Sequence, residues 1–249
     1  MIKIDFSKRI FPSITGFVNY DWQKQLGEVN ALKLTEVAVF LSAFDKKERN
    51  HLYKFLLKSS VKKVPLVHLR DDTDSSDIRF FAENFKTEYF NIHEPFFKIL
   101  NQWNGYWHKI YLELNYNDEI PKDVDVEKIG GFCIDLSHLK TAIARGTKEA
   151  NYISERKNKM KFCCNHLNGF DPKNNEDKHT ITDLKDFDYL TTLPKYIFSE
   201  VIALEVYKKY QAALNKVGGL DFDDLIMTTV KMLETDRGIQ TKYHQGFCY

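Results

Sequence analysis

The sequence predicts an α/β protein, a closed (β/α)8 TIM barrel with a helical C-terminal extension, and three observations carry that expectation. Apolar runs of strand length alternate with amphipathic runs of helix length. Several of the strand runs are apolar without interruption, as strands covered by helices on both faces must be. All eight repeats fit within about residues 9–206 of a 249-residue chain, a length suited to one core. A doubly wound open sheet is the alternative, but no GxGxxG or GxxxxGK[ST] occurs to give such a sheet its usual nucleotide site.

The first strand is expected over Arg9–Gly16 and the second over Leu34–Leu41, which contains the run Val37-Ala38-Val39-Phe40-Leu41. A helix follows over Asp45–Ser59 with Leu52, Phe55 and Leu56 on one face. Strand three, Val64–Leu69, leads to a helix over Asp74–Phe85 that opens on the N-cap cluster Asp74-Ser75-Ser76. Strand four, Tyr89–His93, precedes an aromatic helix over Glu94–Trp107 with Pro95 in its first turn, where proline is tolerated. Strand five is Lys109–Asn115, and the link to Gly130, with Pro121 and many acids, leaves room for a short helix or none. Strands six, Gly130–Leu136, seven, Lys161–Leu167, and eight, Glu200–Val206, are separated by helices over Leu139–Lys157 and Asp183–Thr192.

Composition narrows the class. The net charge of +1 gives no overall attraction for nucleic acid, although Lys157-Asn158-Lys159-Met160-Lys161 is a local basic patch. Aromatic residues reach 14%, with 19 Phe and 13 Tyr, which forecasts an aromatic interior. Of the four cysteines, Cys133, Cys163 and Cys164 lie in expected strands and Cys248 near the end; no CxxC spacing suggests a thiolate zinc site. The N-terminus has no signal-peptide core and no stretch approaches the ~20 apolar residues of a membrane span, so the expectation is a cytoplasmic protein without a membrane partner.

The chemistry sits at the strand ends. In a parallel barrel the C-terminal ends converge on one mouth. Those positions hold His68, His93, Glu113, Asp135, His166 and Glu205, and the following loops add His138, Asp177 and His179. A lone His such as His68 is commonly a hydrogen-bonded structural residue. Glu113 is different, because a carboxylate inside the apolar run Ile110-Tyr111-Leu112-Glu113-Leu114 must be paired or metal-bound. Glu205 ends the apolar run Val201-Ile202-Ala203-Leu204 and is preferred over Glu200, which opens that strand at the opposite rim. Carboxylates with one imidazole suit Mn²⁺, Mg²⁺ or Co²⁺, and more imidazoles shift the preference toward Zn²⁺.

This pattern resembles the xylose-isomerase-like barrel superfamily of sugar isomerases, sugar epimerases and endonuclease IV. In the isomerase and epimerase branch the resemblance places one divalent metal on Glu113, Asp135, His166 and Glu205, with Glu113 and Glu205 as the acid/base pair that moves the α-proton of a sugar or sugar phosphate. In the endonuclease IV branch it implies three zincs on the wider set of His68, His93, Glu113, Asp135, His138, His166, Asp177, His179 and Glu205, acting on abasic DNA. His166-Leu167-Asn168 followed by Asp177-Lys178-His179 is close to that second branch. The Asn-Thr that often follows the fifth-strand Glu is replaced here by Leu114-Asn115. The short spacing from His68 to His93 and the neutral charge favour the isomerase or epimerase branch, with nucleic acid the lesser expectation as partner. Association with further copies of the chain is common in such barrels.

Beyond Glu205 the chain changes character. Val206-Tyr207-Lys208-Lys209-Tyr210-Gln211-Ala212-Ala213-Leu214 and Gly219-Leu220-Asp221-Phe222-Asp223-Asp224-Leu225 resemble a helical segment of bacterial superfamily-one DNA helicases. Without a phosphate-binding loop or the acidic ATPase strand, no helicase activity is expected. Residues 207–249 are therefore read as a separate helical extension, with Leu220, Phe222, Leu225, Ile226, Val230 and Leu233 on one apolar face. A third reading follows from it: a barrel that no longer catalyses, or a fusion product carrying a truncated helicase-like tail.

Overall fold

In the computed structural model, residues 10–16, 21–114, 127–156, 161–179, 181 and 184–205 are described. The expected extension over 207–249, the barrel's first residues and most of the Asn115–Gly130 link lie outside the described residues.

The barrel's strands are β1 (Ile10–Thr15), β2 (Ala38–Phe40), β3 (Leu66–His68), β4 (Tyr89–His93), β5 (Ile110–Leu114), β6 (Gly131–Asp135), β7 (Phe162–Leu167) and β10 (Val201–Leu204). They pair in parallel in the order β1-β10-β7-β6-β5-β4-β3-β2 and close through β1 and β2, so the closed barrel expected from the sequence is present. Between β7 and β10 lies an antiparallel hairpin, β8 (Gly169–Asp171) and β9 (Glu176–Lys178), that the sequence does not announce.

Side chains along each strand alternate between two cores. Val39, Val67, Phe90, Ile92, Ile110, Leu112, Phe132, Ile134, Ile202 and Leu204 face the helices and join the larger cluster. Ala38, Phe40, Leu66, Tyr111, Cys133, Cys164, Val201 and Ala203 form a second, separate cluster, the barrel interior. Counting on by two from that floor reaches His68, Glu113, Asp135, His166 and Glu205. The candidate ligands are thus the last inward positions of their strands, standing directly on an apolar layer.

Around the barrel lie α1 (Trp22–Ala31), α2 (Lys46–Leu56), α3 (Ser75–Phe85), α4 (Leu136–Arg145) and α5 (Lys148–Arg156). Asp45 and Glu48 form a capping box at α2, and Asp74 and Asp77 form one at α3. The helix α1 was not expected, and its middle glycine, Gly27, with few apolar neighbours is the reason. The expected helix over Leu139–Lys157 is two, because Gly146 ends α4 in the left-handed conformation at φ 65°. The aromatic run after β4 is a 3-10 helix over Glu94–Trp103, separate from a short turn at Trp107–Lys109. At the rim, buried Arg49 donates from Nη1 to Phe44 O at 3.0 Å and to Asp72 Oδ1 at 2.7 Å, tying the β2–α2 loop to the β3–α3 loop. Among the described residues no helix is long and apolar enough to cross a membrane.

Candidate metal centre

Glu113 is the hub. Its Oε2 accepts from Asn91 Nδ2 at 2.7 Å and lies 3.0 Å from His68 Nε2, while Oε1 lies 3.2 Å from His166 Nδ1. All four residues are buried. The other nitrogen of His68, Nδ1, stands 2.8 Å from the Leu69 carbonyl and must donate to it. A second-sphere carbonyl of this kind fixes the tautomer of a metal-ligating histidine and leaves Nε2 as the ligand atom.

Asp135 ends β6 and also caps α4. Its Oδ1 accepts from Ser137 N at 2.8 Å, Ser137 Oγ at 2.6 Å and His138 N at 2.9 Å, which leaves Oδ2 facing the mouth with Asn168 Nδ2 at 2.9 Å. The cap also turns α4 so that His138 enters the mouth, where its Nε2 lies 3.5 Å from Asp177 Oδ2. Asp177, brought in by the β8–β9 hairpin, lies 2.8 Å from His179 Nε2, and His179 Nδ1 lies 3.6 Å from Glu205 Oε2. His179 is the open side of the site, with 57% of its side chain exposed.

Eight of the nine predicted ligands fall into three groups whose ligand atoms lie within 4.8 Å of one another: His68, His93 and Glu113; Glu113, Asp135 and His166; His138, Asp177 and His179. Glu113 belongs to two of them. Glu205 belongs to none and reaches them through Asn168 Nδ2 and His179. Strand stagger explains this. Glu113 is level with His93 on one side and Cys133 on the other, His166 with Asp135 and Ala203, so the ligands climb around the barrel and Glu205 stands a layer above His166. Glu200 is exposed just before β10, at the opposite rim.

The electrostatics of the cluster follow from crowding opposite charges in a dry space. Burial alone would raise the Glu113 carboxyl, but His166, His93 and His68 together hold it well below the usual carboxylate range. Glu205 is likewise opposed by burial yet brought to about 2 by His179, His166 and Asn168. Burial disfavours a charged His138, but Asp135 and Asp177 push it up to about 9, and hydrogen bonds to Asp177 and Glu205 push His179 up to about 11. Bare carboxylates beside protonated imidazoles are a cluster that exchanges protons for divalent cations. The donors fit such ions: His68 Nε2 is turned toward a carboxylate with its partner nitrogen already committed, and buried His166 Nε2 has no hydrogen-bond partner among the described residues.

Sequence reasoning passed over Asn91 and Tyr189, and named Asn168 only within a motif, without a role. Asn91 stands in the apolar run Tyr89-Phe90-Asn91-Ile92, so the argument that singled out Glu113 applies to it as well.

Comparison with known proteins points away from the barrel's chemistry. The model of the UvrD/REP helicase N-terminal domain family matches residues 28–249. The ATP-dependent DNA helicase PcrA of Leuconostoc citreum is 42% identical over 52 residues, which are 21% of this chain and 7% of that helicase. The chain thus spans a small part of that relative's length. Among solved structures, N-(5'-phosphoribosyl)anthranilate isomerase from Pyrococcus furiosus aligns with 94% of this chain and 100% of its own at 11% identity and a TM-score of 0.37, too loose a likeness to bear on chemistry.

Proposed function

The chain belongs to the UvrD/REP helicase N-terminal domain family, and on that footing we propose that its barrel is a zinc-dependent phosphodiesterase acting on damaged, abasic DNA. One observation carries the reading: candidate ligands gather into three groups, two of which share Glu113, where a single-ion isomerase needs only one. Five imidazoles among nine candidate ligands favour zinc over manganese or magnesium. The helicase relative named above acts on DNA by its title, which supports the same class of substrate for this chain. The low net charge is no obstacle once cations reverse the sign of the mouth and attract phosphate locally.

Zinc ions, when bound, polarise phosphoryl oxygens and lower the pKa of water. The chain's own residues hold and orient. Glu113 is fixed by Asn91 and presents both oxygens, one toward His68 and one toward His166. Asp135 spends one oxygen on the α4 N-terminus and keeps the other for the mouth. Phe40 lies beneath, its ring 5.4 Å from that of His68 and 4.8 Å from that of His166, and keeps water from the underside. Exposed His179, beside Glu205, is the side from which a phosphodiester enters.

Elemental analysis of the purified protein, with an incision assay on duplex DNA containing one abasic site, tests this. Three zincs per chain and chelator-sensitive incision are expected, with activity lost in His138→Ala and His179→Ala. One manganese-like ion, with interconversion of sugar isomers that tolerates both substitutions, would establish the isomerase or epimerase reading instead. No bound metal would leave a barrel without catalysis.

A further inference from the structure

Two buried asparagines on β7 and at its end have opposite characters. Asn165 faces the helices, and its amide is fully used: Nδ2 donates to Ile134 O at 3.1 Å and Ile197 O at 3.0 Å, and Oδ1 accepts from Ser199 N at 2.7 Å. That is a residue spent on joining strands. Asn168 faces the mouth, and Nδ2 gives its hydrogens to two acids, Asp135 Oδ2 at 2.9 Å and Glu205 Oε2 in a short contact. The Asn168 carbonyl accepts from Tyr189 Oη at 2.8 Å, which pins the backbone that presents the amide. Its Oδ1 is fully buried and has no hydrogen-bond partner among the described residues. The neighbours fix the amide's orientation, because the reverse would set Oδ1 against two carboxylate oxygens.

We infer that Asn168 is a positioning residue, a neutral bridge that holds Asp135 and Glu205 convergent on the cation of the Glu113, Asp135 and His166 group. Two like charges on β6 and β10, separated by β7, repel unless something between them donates to both. A lysine there would compete with the cation, whereas an amide satisfies both acids without adding charge. The bridge also explains how Glu205, a layer above the Glu113 group, is drawn toward it. The inference rests on the proposed cation centre but not on the identity of the reaction.

Zinc titration of the full chain against a competing chelator, with the melting midpoint of the metal-free protein, tests it. Asn168→Ala is expected to weaken one zinc by roughly ten- to hundredfold, as loss of a second-sphere partner does, and, by leaving two buried acids unbridged, to lower the metal-free midpoint as well. Tyr189→Phe, a milder change, shifts zinc affinity in the same direction. Unaltered zinc affinity in Asn168→Ala, or a fallen midpoint with affinity intact, overturns the inference. Zinc binding in the parent protein without DNA incision sinks the phosphodiesterase reading alone, and absence of zinc binding in the parent sinks both.

Discussion

Glu113 and His138 make different demands on the same cluster. Glu113→Gln removes a ligand common to two groups, so two ions should weaken together by tenfold or more, whereas His138→Ala should release only the ion held with Asp177 and His179. Metal counting on the two variants distinguishes them, and equal losses would contradict the shared-hub geometry. The pH dependence has a definite sign. In the metal-free protein the folded pKa of His138 stands near 9 against 6.5, so its stabilisation is complete below pH 6.5 and is lost as pH rises through 9. Zinc must displace that proton and the one His179 holds up to about 11, so its affinity for this group should rise about a hundredfold per pH unit between pH 6.5 and 8.5. Calorimetry over that range giving a flat affinity would refute the assignment. At this scale acids and imidazoles could be read from the sequence because the third to the eighth expected strands each end on a ligand type. The amides Asn91 and Asn168 could not, since asparagine is equally at home in a turn, and only coordinates reveal which carboxylate each one serves.

Among the elements, β6 is held tightly at its start. Gly131 begins it at φ 149°, and a Cβ there would stand 2.4 Å from the Lys161 carbonyl oxygen, where nothing can give way but the backbone of the next strand. Gly131→Ala should therefore cost roughly 2–4 kcal/mol in urea unfolding and displace Asp135 at the strand's other end. Asp45→Ala, which removes a capping-box residue of α2 far from any ligand, should cost only about 1 kcal/mol and leave zinc affinity alone. The strands were legible because burial on both faces leaves unbroken apolar runs such as Val37–Leu41. The 3-10 run at Glu94–Trp103 has the same amphipathic spacing as an α-helix over so few turns, so its tighter winding left no trace. The hairpin escaped because Gly169-Phe170-Asp171 and Glu176-Asp177-Lys178 are too short and too polar to alternate.

For the whole molecule, folding and ligation are coupled, because each group of ligands joins three adjacent strands or α4 with the β8–β9 hairpin and exists only when they are packed together. Zinc at a hundredfold excess over its dissociation constant should contribute about 2.7 kcal/mol per site and raise the melting midpoint by roughly 5–10 °C. A midpoint indifferent to zinc and chelator would mean that the barrel closes without regard to its mouth. The family match across residues 28–249, set beside a closed barrel over much of the same stretch, could not have been anticipated from strand patterns, since periodicity reports burial and not descent.

The β8–β9 hairpin has one more implication. It supplies Asp177 and leads into His179, yet contributes no strand to the ring, so the outermost binding position is an attachment to the vessel and not part of its wall. An ancestor lacking that flap would still have sealed its cylinder and kept the two inner positions, and the capacity for a further ion is something such a scaffold can acquire or shed in a single insertion or excision.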